Sequence, residues 1–176
     1  MTDNRNVKDS YKYWESDLIR ADVFSKSFDC SVLMVNLSGD YNLGSIIRLS
    51  NGLGFKETFY HGKKKIDKRS TVGTEHYQKV TYLETFEDVR NLANDYSLVA
   101  IENNIDYECI PIHQFNWHTD KPPMIVIGEE ACGLNSDVLE LCERIVTIPM
   151  FGSVRSFNAS NAAAIAMFSL ISKRFI

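Results

Sequence analysis

The chain has no long hydrophobic run. Its longest apolar stretches are about half the length that a membrane-spanning helix needs, so no such helix is expected. The opening Met1-Thr2-Asp3-Asn4-Arg5 has no apolar segment, and no secretory leader is expected. An excess of basic charge is also missing: 19 Lys and Arg against 23 Asp and Glu leave a net charge of −4. That balance argues against indiscriminate coating of nucleic acid, while leaving room for a local basic patch. Cysteine is sparse, and Cys30, Cys109, Cys132 and Cys142 are never closer than ten positions. No pair has zinc-ligand or redox-motif spacing, and His61, His76, His113 and His118 are equally scattered. No metal site is expected, and free thiols fit a reducing compartment, so the expected location is the cytoplasm. Repeats, low-complexity segments and interdomain linkers are missing too.

What is present suits one domain with a genuine core: 176 residues, 44% apolar and 24% charged. Residues 1–29 are polar with scattered aromatics (Tyr11, Tyr13, Trp14) and are expected to form a short helical arm. Residues 30–176 are expected to form the single main domain. Short apolar runs read as buried strands: Ser31–Val35, Leu98–Ile101, Met124–Ile127 and Ile145–Ile148, with weaker candidates at Thr58–Tyr60 and Val80–Tyr82. Helical spacing covers Leu43–Leu53, stopped by Gly54, then Phe86–Ala93, a short helix Asp137–Cys142 with Ser136 as N-cap, and an alanine-rich helix Ala159–Lys173. Strands alternating with helices predict an α/β fold, a mostly parallel sheet with helices on both faces.

Ligands of open α/β sheets bind beyond the carboxyl ends of the strands. Three such ends carry unusual residues. After Ser31–Val35 come Asn42, Gly44 and Arg48; at 100° per residue Leu43, Ile46, Ile47, Leu49 and Leu53 share an apolar face, and Arg48 points away from it. After Met124–Ile127 comes Gly128-Glu129-Glu130-Ala131-Cys132-Gly133-Leu134, which is neither a dinucleotide fingerprint nor a P-loop. Its glycines are expected to let the backbone approach a ligand closely, as at Gly128. After Ile148 comes Pro149-Met150-Phe151-Gly152-Ser153-Val154-Arg155-Ser156-Phe157-Asn158, rich in small and polar residues, with Ser156 or Asn158 available as a helix N-cap.

Taken in order, Asn42-x-Gly44-x-x-x-Arg48, Ile127-Gly128-Glu129-Glu130-x-x-Gly133-Leu134 and Ile148-Pro149-Met150 followed by Ser156-Phe157-Asn158-Ala159-Ser160 resemble the three motifs of the SpoU/TrmH-type RNA 2′-O-ribose methyltransferases of the SPOUT superfamily. The resemblance runs from about Val32 to Arg174 and is thin between Lys63 and Asn116. It implies a deep C-terminal trefoil knot, an S-adenosylmethionine pocket formed by that knot, and a homodimer with the active site near its interface. Carried over by position, it implies that the backbone at Gly128, Ile148 and Phe157 holds the cofactor, with Met150 and Gly152 nearby. Asn42, Arg48, Glu130, Ser156 and Asn158 match the positions implicated in catalysis. Phe157 stands where the family usually has leucine. The implied reaction transfers a methyl group to a ribose 2′-oxygen of tRNA or rRNA, with Arg48 stabilising the developing alkoxide, because a guanidinium is not deprotonated in proteins.

RNA contact would then be local. Lys63, Lys64, Lys65, Lys68 and Arg69 form the densest basic cluster, with Tyr60 and Tyr77 near it for stacking. Two other readings compete: a catalytically silent RNA-binding relative, which the retained polar positions argue against, and an unknotted nucleotide-binding α/β protein, disfavoured because no phosphate loop is present.

Overall fold

The apolar runs become strands because helices cover both faces of the sheet they form. A computed structural model describes residues 3–37, 40–67, 69–103, 106–129 and 132–176. Among these residues, seven strands build one wholly parallel sheet: β1 (Phe28–Val35), β2 (Phe55–His61), β3 (Val80–Leu83), β4 (Ser97–Ile101), β5 (Ile110–Pro111), β6 (Pro123–Ile127) and β7 (Arg144–Thr147). Their order across the sheet is β3-β2-β1-β6-β4-β7-β5. Every residue of β4 and β6 is buried, as is β1 from Cys30 onward. The helices are α1 (Ser16–Ser25), α2 (Asp40–Gly52), α3 (Phe86–Asp95), α4 (Ser136–Leu139) and α5 (Ala159–Arg174).

One face of the sheet is covered by α2 and α5, through Ile46, Ile47, Ala163, Ala166, Met167 and Leu170, together with Trp117. The other is covered by α3 and α4, through Val89, Leu92, Val138 and Leu139. On α2 the helical spacing holds: Leu43, Ile46 and Ile47 are buried, Leu49 and Leu53 half-buried, and Arg48 exposed. The segment around Trp117 grips the end of α5. The Trp117 indole N–H donates to Ser169 Oγ at 3.1 Å, Arg174 donates to the Trp117 carbonyl, and Lys173 Nζ donates to the carbonyls of Ile112 and His113 at 2.9 Å.

Register sets up the site. Ile101 on β4 lies opposite both Ile127 on β6 and Val146 on β7, so the three strands end level and their outgoing loops meet.

The α/β expectation holds, with local differences. Strand β5 went unread because it is two residues long and contains Pro111, which an edge strand tolerates because it leaves one flank unpaired. β1 starts at Phe28, two residues before the expected start of the main domain, and α1 docks onto that domain through buried Ile19 and an Arg20 bond to the His76 carbonyl. The cap of α4 is Asn135 rather than Ser136: its Oδ1 accepts the Val138 N–H at 3.0 Å, and Ser136 is already helical. Asn caps as well as Ser does, and here only Asn135 has the extended backbone that a cap needs.

Candidate functional site

Beyond the level ends of β6, β4 and β7 lies a cleft of about 280 Å³. Its walls come from Ile101, Glu102 and Asn103 at the end of β4, and from Ile127, Gly128, Glu129, Cys132 and Gly133 at the end of β6. Ile148, Arg155, Ser156 and Phe157 follow β7, and Ala159 and Ala162 belong to α5. The walls are about evenly polar and apolar: Glu102, Asn103, Glu129, Arg155 and Ser156 converge with the apolar side chains, and convergent polar groups are what orient a ligand in a small-molecule site.

The loop after β6 folds back on itself. The Gly133 N–H donates to the Glu129 carbonyl at 2.9 Å and the two residues form an antiparallel bridge, which lays the Gly133 backbone over residue 128. A Cβ on Gly128 would sit 2.6 Å from the Gly133 carbonyl carbon and 2.7 Å from the Leu134 nitrogen. The protein's own backbone, at Gly133 and Leu134, therefore fills the space that a side chain at residue 128 would need. Gly133 has φ +70°, and a Cβ there would run into the Glu102 carboxylate. That carboxylate ties the turn to β4, accepting the Leu134 N–H at 2.8 Å on one oxygen and the Asn103 N–H at 2.9 Å on the other.

Asn103 ties β4 to the exit of β7. Its Oδ1 accepts the Thr147 hydroxyl at 2.6 Å and the Ile148 N–H at 3.1 Å, and its Nδ2 donates to the Ile148 carbonyl at 2.9 Å. Glu102 and Asn103 therefore brace the two loops that make the cleft. Neither was singled out in the sequence. The rule that ligands sit at strand ends pointed to the end of Leu98–Ile101 too, but no glycine marks it.

Of the expected cofactor-holding residues, Gly128, Ile148 and Phe157 line the cleft; Met150, half-buried, and Gly152, exposed, do not. Of the expected catalytic residues among those described, only Ser156 lines it. Asn158 caps α5, its Oδ1 accepting the Ser160 N–H at 3.0 Å and hydroxyl at 2.7 Å. Asn42 and Arg48 lie on α2, outside the lining, and Arg48 makes no hydrogen bond or ion pair among the described residues. Glu130 lies outside the described residues.

In the basic loop Lys63, Lys64 and Lys65 are exposed, while Lys68 lies outside the described residues. Arg69 pairs with Asp67, whose carboxyl it holds down at about 2. The stacking expectation needs correction. Tyr60 and Tyr77 are buried, the Tyr60 hydroxyl donating to the Lys64 carbonyl at 3.0 Å. The accessible ring is Tyr41, 57% exposed, with the Arg69 guanidinium 5.1 Å from its centroid. Among the described residues, no group of three or more His, Cys, Asp or Glu is placed to hold a metal, and no helix is long and apolar enough to cross a membrane.

Residues 29–168 match the sequence model of the SpoU rRNA Methylase family. A Staphylococcus saprophyticus protein named for the TrmH family of tRNA/rRNA methyltransferases is 29% identical over 175 residues, covering 93% of this chain and 67% of the relative. Among solved structures, the SpoU methyltransferase AviRb from Streptomyces viridochromogenes, in complex with AdoMet, superposes with a TM-score of 0.70 at 27% identity, covering 85% of this chain and 58% of that one. The A. aeolicus TrmH/SpoU tRNA modifying enzyme shares the fold, with a TM-score of 0.76 at 23% identity over 90% of this chain and 82% of its own. The chain thus spans under two thirds of AviRb.

Proposed function

We propose that this chain, which belongs to the SpoU rRNA methylase family, is an S-adenosylmethionine-dependent enzyme that methylates a ribose 2′-oxygen of tRNA or rRNA in the cytoplasm. The observation that carries the reading is the cleft itself, because Gly128, Glu129, Gly133, Ile148, Ser156 and Phe157 in its walls fall in the segments in which the sequence resembles the family's second and third motifs.

The cleft suits the cofactor chemically. Ile101, Ile127, Ile148 and Ala162 offer apolar surface to a flat ring, and Gly128 and Gly133 lie in the wall beside it. Gly128, Ile148 and Phe157 would hold the cofactor, with Met150 and Gly152 on the segment between Ile148 and Phe157. When bound, S-adenosylmethionine supplies an electrophilic methyl group on a sulfonium. The protein has to orient the 2′-hydroxyl and stabilise the charge that develops as its proton leaves. Arg48 is the cation the family resemblance assigns to that, and the planar fork of its guanidinium also suits an RNA phosphate. The Ser156 hydroxyl lies in the cleft wall. With the Asn158 Oδ1 spent on the helix cap, its amide nitrogen is left to donate toward RNA. Glu130 completes the expected catalytic set.

Asn42 and Arg48 are not part of the cleft lining in their own chain, which supports a homodimer in which two chains together complete the site. The outer face of α5 supports the same reading, since Ile165 and Phe168 are exposed, Phe168 by 59%. The grip of the Trp117 segment on α5 fits the knotted C-terminal crossing implied by the family. Lys63, Lys64, Lys65 and Arg69 with Tyr41, and the arm 1–29, would extend the RNA contact beyond the cleft.

The test is tritiated methyl transfer from S-adenosylmethionine to total RNA, followed by nucleoside analysis, with cofactor affinity measured by calorimetry. Label in 2′-O-methylnucleosides is the expected result. Label in bases overturns the ribose assignment, and cofactor binding without transfer favours the silent RNA-binding relative.

A further inference from the structure

We propose that Asn103 is a resident competitor for the edge of the cleft that reads the adenine of the cofactor, and so sets how tightly the cofactor is held. The proposal rests on reading the cleft as an S-adenosylmethionine site. A single carboxamide covers both polar groups of residue 148: Nδ2 donates to its carbonyl at 2.9 Å and Oδ1 accepts its N–H at 3.1 Å. The 6-amino group and N1 of adenine present the same pair, a donor beside an acceptor. The Ile148 backbone is therefore complementary to adenine as it is to the carboxamide, whereas hypoxanthine presents the reverse order. Ile101, Ile127 and Ala162 in the same walls supply the apolar surface that the faces of a purine need.

A ring taking this edge must first turn the Asn103 side chain away. That breaks the two bonds to Ile148 and the one from the Thr147 hydroxyl at 2.6 Å. A binding-competent state that has to be prepared in this way weakens the apparent affinity by the cost of preparing it. The edge itself does not depend on Asn103. Thr147 ends β7, its carbonyl accepts the Ile112 N–H at 2.9 Å, and the neighbouring Val146 pairs with β4 on one side and β5 on the other. Removing the carboxamide leaves the Ile148 backbone presented and unoccupied by protein.

The test is calorimetry of S-adenosylhomocysteine with the full chain as wild type, Asn103→Ala and Asn103→Ser; serine is too short to reach both groups of Ile148. Both variants are expected to bind about tenfold tighter, the factor that corresponds to roughly 1.4 kcal/mol and to the low end of the net worth of three neutral hydrogen bonds. S-inosylhomocysteine, whose 6-oxopurine reverses the edge, is expected to bind weakly to all three. Thermal melts without ligand establish that each variant is folded. Unchanged or weaker binding by a folded variant overturns the proposal and leaves Asn103 as a brace for the loop alone. Absence of binding by wild type and variants alike overturns the cofactor reading instead, and this proposal with it.

Discussion

Adding a single methyl group at residue 128 tests why that position is glycine. In Gly128→Ala the new Cβ would lie 2.6 Å from the Gly133 carbonyl carbon, 2.7 Å from the Leu134 nitrogen and 2.8 Å from the Gly133 oxygen. All three are backbone atoms, so no change of rotamer relieves the overlap, and the 129–134 turn has to retreat by most of an ångström to reach ordinary contact. Retreat strains the Leu134 N–H bond to the Glu102 carboxylate, now 2.8 Å. Overpacking of this kind costs about 1–3 kcal/mol, and weakening a hydrogen bond to a charged acceptor adds about 1 kcal/mol. The expected total is about 3 kcal/mol, which for a domain of this size lowers the melting temperature by roughly 6–12 °C. Thermal and urea melts without ligand measure it. A loss below about 0.5 kcal/mol, the ordinary scatter of surface substitutions, would refute the reasoning: the turn would then yield freely, and glycine would be needed there only for a ligand.

Arg48→Ala is expected to leave stability within about 0.5 kcal/mol, since the exposed side chain makes no bond among the described residues. Single-turnover methylation should fall roughly a hundredfold, about 3 kcal/mol of barrier, with cofactor affinity unchanged; a near-wild-type rate would return Arg48 to the solvated surface. Trp117→Ala is expected to destabilise by about 3–5 kcal/mol, because it empties a fully buried site and releases the bond to Ser169 on α5; a melt within 1 kcal/mol of wild type would mean that the segment does not grip the helix. Alkylation at pH 8 should mark exposed Cys132 first, because burial pushes the thiols of Cys30 and Cys142 up to about 12 and keeps them protonated until pH rises well beyond the assay. S-adenosylhomocysteine should slow labelling of Cys132, which lines the cleft; mass spectrometry showing no protection would move the ligand elsewhere.

Much of this architecture is legible in the order of residues. The runs 31–35, 98–101 and 124–127 are apolar at every or nearly every position because both sheet faces are covered, and a strand with no polar face has no alternation to misread. Arg48 could be placed opposite the buried face of α2 from helical spacing alone, since only the periodicity matters there. Non-local pairing is harder to read. Nothing in Ile110–Pro111 announces a strand; its partner is β7, more than thirty residues later, and one ladder creates it. Tyr60 and Tyr77 are close to the lysines in sequence, yet the pleat of β2 and the packing around Thr74–His76 turn both inward. Charge and aromatic content predict a surface only once it is known which way each side chain points.

The cleft explains why some of its residues are visible in a sequence and others are not. Where a loop must lie against backbone, the constraint falls on the residue itself. The bond from Gly133 to Glu129 brings residue 133 over residue 128, and both positions lose their side chains for reasons that have one cause. Such a constraint leaves a fixed spacing, Gly128 to Gly133, that can be found by inspection. The residues that hold the loops together obey a looser rule. Glu102 has only to offer two acceptor oxygens, to the N–H groups of Leu134 and Asn103, and Asn103 only a donor and an acceptor to Ile148. Their positions follow from the register that makes β4 end level with β6 and β7, which is a property of the folded sheet. The glycines can be recognised before the fold is known, whereas the braces at 102 and 103 become functional only because Ile101 stands opposite Ile127 and Val146.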